Sequence, residues 1–499
     1  MHPLSDRGGS RFFRCASGGK PGIIQEERPD GPGFQGGRAL PQRRRCGGFG
    51  ERKVDFMRET DFEKLYDVVV LGAGTAGAAA ALAAADCGAR VLAVEQFGSA
   101  GGSSSLGLVT PLMSPGIRNK PQCSYLGLEI IRRLTREGAA DGEHKCFFDP
   151  MMLSMVLEEM LSERGVTMLY HTMVTGAEVS DGRITGIRVS NASGTGILRA
   201  SRAYIDATGD AAVCRLAGLP TRHGDEEAHR NQPCSLRYLI GGVDPDRFWQ
   251  FLCEKRGEPG KPRPENFDGA ATLGQGSWAL NDFFREAVER GDLAKEDALY
   301  WQFFTVPGRR GVLAFNCPEF FDIEDITDAD RQSEVQVQGK LRILRHLRFY
   351  RKYLPGFEEA YVDQIASMVG IREGRRAETE YMLTAEDAYG WRKFDDAVAQ
   401  SNYPIDIHGR TLRNQDLVRR EDEPRKYYEI PFRCLQVRGT DNLLAAGRNI
   451  GTDFVAQSSV RIMPTCRALG EAAGIAAALG LRDGRAVREE MIRRGAEFC

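Results

Sequence analysis

The stretch DVVVLGAGTAGAAAALAAADCGARVLAVE, residues 67–95, decides the fold of this 499-residue chain. Residues 67–71 form an apolar, β-branched run that is typical of a buried parallel strand. The alanine-rich segment 77–87 has a high helix propensity and ends at Gly88, which favours a helix end. Residues 90–95 supply a second buried strand. The stretch therefore predicts a βαβ unit of a doubly wound α/β sheet.

The loop between the first strand and the helix fits the pattern GxGxxG. In such a loop the first glycine makes a tight turn, the second lets the backbone approach a pyrophosphate, and the third allows close helix–strand packing. An acidic residue at the end of the second strand binds ribose hydroxyls and disfavours a 2′-phosphate, so NADP is not expected. The predicted dinucleotide site comprises Gly72, Gly74, Thr75, Ala76, Gly77, Glu95 and Gln96. The pattern alone leaves NAD and FAD open, and also a glycine-rich turn without a ligand.

Composition excludes several classes of function. With 67 Lys and Arg against 69 Asp and Glu, the formal net charge is −2, so nothing attracts the chain to nucleic acid or anionic lipid. No apolar run is long enough to span a membrane. The 12 cysteines form no CxxC motif and the 7 histidines form no helix-spaced pair, so we expect no metal site. Dispersed thiols in a large chain indicate a reducing, cytoplasmic location.

The first 60 residues differ from the rest of the chain. They are rich in glycine, proline and arginine, and they show no helical or strand periodicity. A basic arm or a targeting peptide would fit the run 43–45, although several acidic residues argue against a transit peptide. We expect a disordered leader, or translation from a start codon placed too far upstream, since Met57 lies about ten residues before the first strand.

The remaining chain alternates helices and strands before a less regular middle. Helices are expected at 149–164, 326–353 and 464–479, and strands at 166–170, 176–179, 184–189, 197–200, 203–207 and 442–446. Hairpin turns are expected at Asp181-Gly182 and at 194–196. The middle, about 219–431, is more polar and richer in aromatic residues.

Three segments resemble one family. Residues 100–107, AGGSSSLG, resemble the Gly-Gly loop that lies along an FAD pyrophosphate, and residues 205–210, IDATGD, match the ATG(D) motif of flavoproteins. Residues 441–448 with 459–466, DNLLAAGR and SVRIMPTC, resemble the closing flavin motif of the FAD-dependent oxidoreductase family, some members of which are labelled xanthan lyase. Segments 370–381, 406–408 and 430–433 also match that family. The resemblance covers about residues 66–479.

The resemblance implies an α/β fold, with a Rossmann-like FAD-binding domain of glutathione-reductase type and an inserted α+β substrate or cap domain. Its FAD-binding parts are expected at 61–218 and 432–499, and the cap at 219–431. The further cofactor-binding residues that it implies are Gly101, Gly102, Ser103, Val174, Ala207, Thr208, Gly209, Asp210, Gly447, Arg448, Thr465 and Cys466. Residues 451–457, GTDFVAQ, lack the histidine expected there, so non-covalent FAD is predicted. Cys466, at a helix start, is either a reactive thiol or a packing residue.

The candidates for catalysis are basic and acidic residues of the middle and closing segments. Arginines beside a flavin suit an anionic substrate, because guanidinium binds carboxylate bidentately. A histidine suits proton transfer, and Asp406 is expected to orient it. The predicted catalytic residues are Arg372, His408 and Arg461, with Arg375, Arg376, Asp406 and Glu429 as further candidates. The alternative is that 372–376 lie on one helix and form structural ion pairs.

The expected reaction is hydride transfer between a small anionic or polar substrate and flavin N5. No second GxGxxG follows a strand, so an external acceptor (oxygen, a quinone or a soluble carrier) is expected to take the electrons. A non-catalytic electron-transfer or sensor subunit is the alternative. An RNA-modifying flavoprotein would need a basic face and a C-terminal helical domain, whereas the chain ends about twenty residues after the predicted flavin helix.

Overall fold

The computed structural model describes Phe62 and residues 64–113, 123–142, 146–273, 278–408 and 426–499. These residues belong to one compact unit. The segment 1–60, for which a disordered leader is predicted, lies outside the described residues.

The helices and strands follow one another in an α/β order over the described ranges. The helices are α1 Thr75–Asp86, α2 Tyr125–Arg136, α3 Pro150–Glu163, α4 Ala212–Leu216, α5 Pro245–Arg256, α6 Asn281–Glu289, α7 Lys295–Ala298, α8 Ala329–Tyr353, α9 Ala385–Tyr389, α10 Phe454–Val460, α11 Met463–Leu479 and α12 Gly484–Arg493. The strands are β1 Leu65–Leu71, β2 Val91–Val94, β3 Pro111–Leu112, β4 Cys146–Phe147, β5 Thr167–Leu169, β6 Met173–Ser180, β7 Arg183–Asn191, β8 Gly194–Asp206, β9 Thr221–His223, β10 Cys234–Ser235, β11 Tyr238–Gly241, β12 Asp268–Ala271, β13 Trp301–Thr305, β14 Leu313–Phe315, β15 Glu319–Phe320, β16 Tyr361–Ile365, β17 Arg375–Ala377, β18 Ala397–Ser401, β19 Tyr428–Pro431 and β20 Leu443–Ala445.

The main sheet has the order β5-β2-β1-β8-β7-β6, and β20 also pairs with β8. Strands β5, β2, β1, β8 and β20 are parallel, whereas β6, β7 and the first half of β8 form an antiparallel meander. From β1 the chain crosses to β2 on one side and later reaches β8 on the other. Ligands of open α/β sheets bind where the strand order reverses in this way, at the carboxyl ends of the strands. The predicted βαβ unit and the parallel sheet are confirmed.

Helix α1 is apolar on every side and is covered by the sheet and by α11. Its residues Ala76 to Ala84 are buried, so the helix has no amphipathic face. Glycines of α11 permit the close approach: a Cβ at Gly470 would lie 2.0 Å from the carbonyl oxygen of Ala76, and one at Gly474 would lie 2.2 Å from that of Ala80. Helix α11, near the end of the described chain, is therefore packed directly against α1.

A second, antiparallel sheet has the order β12-β13-β14-β11-β16. It carries its own hydrophobic core, formed by residues between Cys234 and Val369 together with Leu108. Aromatic side chains dominate this core, and Phe248 of α5, Trp301 of β13 and Tyr350 of α8 are buried in it. No helix of the described ranges combines the length and the apolar character required to cross a membrane.

Three details of the sequence prediction were wrong. The hairpin turn expected at 194–196 lies at 192–193, because β7 ends at Asn191 and β8 begins at Gly194. The strands expected at 197–200 and 203–207 are one continuous strand, β8, because its first half pairs with β7 and its second half with β1 and β20. The helix considered for 372–376 does not form. Residues 371–374 are irregular, and Arg375 begins β17, which pairs with β9. Gly374 packs so tightly that a Cβ there would lie 2.1 Å from Oδ1 of Asp210.

Candidate active site

A cavity of about 1540 Å³ opens at the carboxyl ends of the parallel strands. The residue after each of four strands lines it: Gly72 after β1, Glu95 after β2, Ala207 after β8 and Ala446 after β20. From there the cavity continues to the second sheet, whose Gln302 and Asn316 also line it. Cavities for drug-sized ligands measure roughly 300–1,000 Å³, so this one has room for a larger ligand or for two.

The glycine-rich loop leaves its middle glycine open to the cavity. A Cβ at Gly72 would lie 2.5 Å from the carbonyl oxygen of Ala207, and one at Gly77 would lie 1.8 Å from that of Gly72. At Gly74, by contrast, the nearest atom is Cα of Gly102 at 3.9 Å. Gly72 and Gly77 thus serve the packing of the loop, while Gly74 keeps space for a ligand.

Two helices begin at the cavity without a side-chain cap. Helix α1 has Gly74 as its N-cap residue, and α11 has Ile462. Neither N-cap supplies a hydrogen-bond acceptor, so N–H groups of the first turn are left for a ligand. The N-terminus of a helix also carries a partial positive charge, which favours phosphate or a reduced flavin ring.

The carboxylate of Glu95 is partly engaged by the loop itself. Its Oε2 accepts a hydrogen bond from the backbone N–H of Ala73 at 2.8 Å, and its Oε1 accepts one from that of Phe97 at 3.1 Å. Burial raises the pKa of Glu95, and these N–H groups oppose that rise. Glu95 therefore fixes the loop and also lines the cavity.

The end of β8 is organised by the buried carboxylate of Asp206. Its Oδ1 accepts from the hydroxyl of Thr208 at 2.6 Å, and its Oδ2 accepts from the backbone N–H of Val213 at 2.9 Å. Asp210 also lines the cavity, and its Oδ1 lies 2.9 Å from Nη2 of Arg448. The IDATGD and AAGR motifs, more than two hundred residues apart, thus meet at one point of the cavity wall.

Most residues predicted to bind the cofactor line this cavity. They are Gly72, Gly74, Thr75, Ala76, Glu95, Gln96, Gly102, Ser103, Val174, Ala207, Thr208, Gly209, Asp210, Gly447, Arg448 and Cys466. Gly77, Gly101 and Thr465 lie behind the wall. Gly101 packs against Ser105, and Thr465 is buried in the first turn of α11.

The predicted catalytic residues Arg372, His408 and Arg461 lie in the far part of the same cavity. A residue that the sequence did not single out, Glu319, joins two of them. Its carboxylate pairs with the Arg372 guanidinium and lies 2.9 Å from Nδ1 of His408. Arg372 also donates to the carbonyl oxygen of Pro233 at 2.7 Å. Glu319 begins β15, so the short two-stranded sheet of β10 and β15 supplies the partner of the histidine.

Asp406 lies on the other side of the imidazole. Its Oδ1 is 3.6 Å from Nε2 of His408, and its Oδ2 accepts from Arg461 at 2.9 Å. Asp406 was expected to orient the histidine, but Glu319 is the closer carboxylate. Within the described ranges, no group of three or more His, Cys, Asp or Glu residues is arranged to hold a metal ion.

The charges of this cluster support one another. Burial and Arg372 act to lower the pKa of His408, but Glu319 and Asp406 outweigh them and raise it above its usual value. Burial also opposes ionisation of Glu319 and Asp406, yet the neighbouring cations hold both pKa values below the usual range. Both carboxylates are therefore ionised at neutral pH, and the histidine between them gains a proton readily.

Three further candidates lie outside the cavity lining. Arg375 pairs with Asp325, Arg376 pairs with Glu373 at 3.1 Å, and Glu429 accepts from the amide of Gln400 at 2.8 Å. These contacts hold loops and strands together. Structural ion pairing, the alternative considered for the arginine run, thus describes Arg375 and Arg376 even though they form no helix.

Cys466 is a buried thiol in the first turn of α11. Burial raises its pKa to about 12, despite the nearby Arg448 and Arg461. A thiol becomes reactive when its pKa is lowered, so packing is the role that this environment favours.

A family model described as FAD dependent oxidoreductase matches residues 67–494, which is most of the chain. The chain belongs to this family. It is therefore an enzyme, a flavoprotein oxidoreductase with FAD as its cofactor. The resemblance inferred from the motifs of the sequence is confirmed.

Other similarities of this FAD-dependent oxidoreductase are partial or distant. It is 30% identical over 141 residues to the tRNA uridine 5-carboxymethylaminomethyl modification enzyme MnmG of Geobacter metallireducens, covering 26% of this chain and 23% of that protein. The chain spans about a quarter of the length of the curated relatives it matches. A myxobacterial chondrochloren halogenase structure has 14% identity and a TM-score of 0.42, covering 87% of this chain and 79% of that one. L-Proline dehydrogenase from P. horikoshii has 12% identity and a TM-score of 0.39, covering 85% and 98%. None of these similarities indicates a substrate.

The residues around the cavity fit the cofactor of the family. Gly74 leaves open space beside the uncapped N-terminus of α1, as a pyrophosphate requires. Arg448 of the closing segment lines the cavity, and its buried Nε has no hydrogen-bond partner among the described residues. Buried polar groups are normally paired, so this atom is suited to contact a bound group.

Proposed function

We propose that this flavoenzyme oxidises a small anionic or polar organic substrate by hydride transfer to the N5 atom of non-covalently bound FAD. The main sheet with its antiparallel meander supports an FAD-binding domain of glutathione-reductase type, with parts at 61–218 and 432–499. The second sheet and its separate core support a substrate-binding cap between them, at 219–431. Oxygen, a quinone or a soluble carrier then takes the electrons.

One observation carries the proposal: His408, held by Glu319, lies in the same cavity as the glycine-rich loop. A histidine whose pKa is set by specific partners, placed in a cleft beside a cofactor, is suited to general base catalysis. Nδ1 faces Glu319, so the neutral ring carries its proton there and donates it to that carboxylate. Nε2 is then left with a free lone pair.

The proposed reaction breaks two bonds of the substrate, a C–H and an adjacent O–H or N–H, and forms a C=O or C=N bond. The proton goes to Nε2 of His408, and bound FAD supplies the acceptor for the hydride equivalent, so the substrate loses two electrons. Asp406 then stabilises the protonated imidazole from 3.6 Å. Arg372 and Arg461 act as positioning residues, because each holds one of the two carboxylates.

The test is anaerobic titration of the FAD-loaded protein with organic acids, amines and sugars while the flavin absorbance is followed. We expect at least one compound class to bleach the flavin, and we expect His408→Asn to slow the bleaching at least a hundredfold, in line with the usual contribution of a general base. His229→Asn is the matched control, because His229 is exposed, lies outside the cavity lining and has a φ of 54°, which Asn tolerates. Absence of bleaching by every class, or equal rates in both variants, would refute the proposal. Release of all flavin by acid precipitation is the result expected for non-covalent FAD.

A further inference from the structure

One buried arginine of the cavity stands apart from the other arginines that are shielded from solvent there. Arg237, between β10 and β11, lines the cavity and is only 8% exposed. Its neighbours in the lining have acidic partners: Arg372 pairs with Glu319, Arg448 with Asp210 and Arg461 with Asp406. The Arg237 guanidinium makes no hydrogen bond to any described residue, and its Nε is buried without a partner. A buried charge without a direct ionic partner is unfavourable, so a bound anion would stabilise this group.

The position of Arg237 is fixed by the second sheet. Its carbonyl oxygen accepts from the backbone N–H of Ala366 at 2.9 Å, just beyond β16. In β11 the next residue, Tyr238, is paired with Phe315, which places Arg237 opposite Asn316. Arg237 therefore directly precedes β11 and is tied to the segment after β16 by a backbone hydrogen bond, and attachment to a regular element positions a ligand-binding group precisely.

The local charge balance also favours an anion. Arg237, Arg372 and Arg461 are three guanidinium groups close enough to influence one another, and Glu319 and Asp406 supply only two carboxylates. Burial, followed by the repulsion of Arg372, lowers the pKa of Arg237 to about 9. While His408 is neutral, one further negative charge at this point would balance the three guanidinium groups and would raise the pKa of Arg237 again.

The wall beside Arg237 is polar and already ordered. The hydroxyl of Tyr300 donates to Oε1 of Gln302 at 2.5 Å, and the amide of Asn316 donates to the same oxygen at 3.0 Å. Oδ1 of Asn316 is buried and has no partner among the described residues. The ring of Tyr300 meets that of His408 edge-on, with centroids 5.3 Å apart. A ligand at Arg237 therefore lies next to the proposed base.

We propose that Arg237 binds the carboxylate of the substrate and so selects carboxylic acids whose oxidisable C–H lies near that group. The inference rests on the proposed function, since it names the substrate class of the same site. A guanidinium binds a carboxylate through two parallel N–H···O bonds, which fixes the orientation of the substrate as well as its charge. His408 is then placed to receive the proton from the adjacent hydroxyl or amine.

The test measures ligand binding rather than turnover. Acetate, glycolate and benzoate are titrated into the oxidised, FAD-loaded protein, and the shift of the flavin absorption bands gives each Kd; phosphate and sulfate are the comparison anions. We expect saturable binding of a carboxylate, weakened at least tenfold in Arg237→Met and less in Arg237→Lys, with unchanged FAD content. Arg310→Met is the matched control, because it removes a positive charge from an exposed side chain outside the cavity lining.

A thermal measurement provides a second readout that does not depend on the flavin spectrum. Without ligand, Arg237→Met should unfold at the same or a higher temperature than the wild type, because it removes an unpaired buried charge. A saturating carboxylate should stabilise the wild type and leave Arg237→Met unchanged. If Arg237→Met fails to hold FAD, the Kd of Arg237→Lys decides the question.

Three outcomes would overturn the inference. The first is that the wild type binds no carboxylate. The second is that both Arg237 variants keep the carboxylate Kd of the wild type. The third is that the Arg237 variants bind carboxylate normally but have an altered flavin reduction potential, which would assign Arg237 to the cofactor. Bleaching of the wild-type flavin by an organic compound in any of these cases would leave the proposed function standing. Failure of that function would show itself separately, as absence of bleaching.

Discussion

Nδ1 of His408 and the carboxylate of Glu319 lie 2.9 Å apart, which joins the segment after β18 to the first residue of β15. Glu319 is one of the two carboxylates that raise the pKa of the histidine, and it fixes which ring nitrogen is free to act. The contact therefore links the two-stranded sheet of β10 and β15 to the chemistry proposed at the flavin, and it predicts a dependence on pH.

Glu319→Gln should move the pH profile of flavin reduction towards lower pH. A base must be neutral to accept a proton, so the rate falls as pH drops through the raised pKa of His408. Glutamine still accepts the Nδ1 proton but no longer stabilises the charged ring, so the pKa of His408 falls and activity persists to lower pH. Stopped-flow reduction between pH 5 and pH 9 measures the inflection. Glu334→Gln, at an exposed site of α8, should leave it in place, whereas an inflection that stays put or rises in Glu319→Gln would contradict the role of Glu319.

Two alanine substitutions in the glycine-rich loop should impair different properties. One should lower the stability of the apoprotein, and the other should weaken FAD binding. At Gly77 the Cβ would lie 1.8 Å from the carbonyl oxygen of Gly72, so Gly77→Ala should destabilise the apoprotein by about 1–3 kcal/mol or more. A Cβ at Gly74 would have no protein atom nearer than the Cα of Gly102 at 3.9 Å, and φ there is −67°, so Gly74→Ala should unfold like the wild type. Its methyl group would occupy the space left for the cofactor, so it should bind FAD at least tenfold more weakly. Denaturant unfolding of apoprotein and fluorescence titration with FAD separate the two effects. Equal FAD affinity in Gly74→Ala would exclude this loop as the pyrophosphate site.

The buried carboxyl group of Glu471 should make the protein less stable as pH rises. It accepts hydrogen bonds at the start of α2, including one from Ser124 at 2.8 Å, and burial raises its pKa to about 8, against 4.5 for the free side chain. Between these two values the folded state binds more protons than the unfolded state, so raising the pH costs stability until about pH 8 is passed. Glu471→Gln should therefore lose less of its melting temperature between pH 6 and pH 9 than the wild type does. Glu489→Gln, at an exposed position of α12, serves as control, and parallel curves for wild type and Glu471→Gln would contradict the shift.

Cys466 should resist modification in the native protein. Its pKa of about 12 leaves almost no thiolate at pH 8, whereas Cys499 is exposed. Brief treatment with iodoacetamide followed by peptide mass mapping should label Cys499 and leave Cys466 free until the protein is unfolded. Labelling of both at similar rates would restore the interpretation of Cys466 as a reactive thiol.

The nucleotide-binding half of the molecule was predictable because its signals are local. A buried strand, a glycine turn and an alanine helix follow each other within 67–95, and each has a distinct period or composition. The motifs around Asp210 and Arg448 were also recognised separately, although their direct contact was not. Strand pairing of β20 with β8 brings them together, and such a long-range contact has no period in the sequence.

The proposed catalytic cluster could be predicted only in part, again because long-range contacts leave no pattern in the sequence. His408 and Arg461 stood out through their motifs, whereas Glu319, in β15, and Arg237, just before β11, have no recognisable pattern around them. Their importance arises from burial and from the charges that the fold places beside them, since a carboxylate or a guanidinium is usually solvated. The arginine run 372–376 was misleading for a different reason. Its arginines are close in the sequence, but they pair with carboxylates in different parts of the fold.

The packing of α1 against α11 determines when, during synthesis, the first helix can be buried. Helix α1 leaves the ribosome early, but the glycine face that covers it, at Gly470 and Gly474, is translated almost four hundred residues later. An apolar helix without its cover is prone to aggregate. The cofactor cleft therefore reaches its final form only after α11 has been synthesised, and α1 lacks this cover until then.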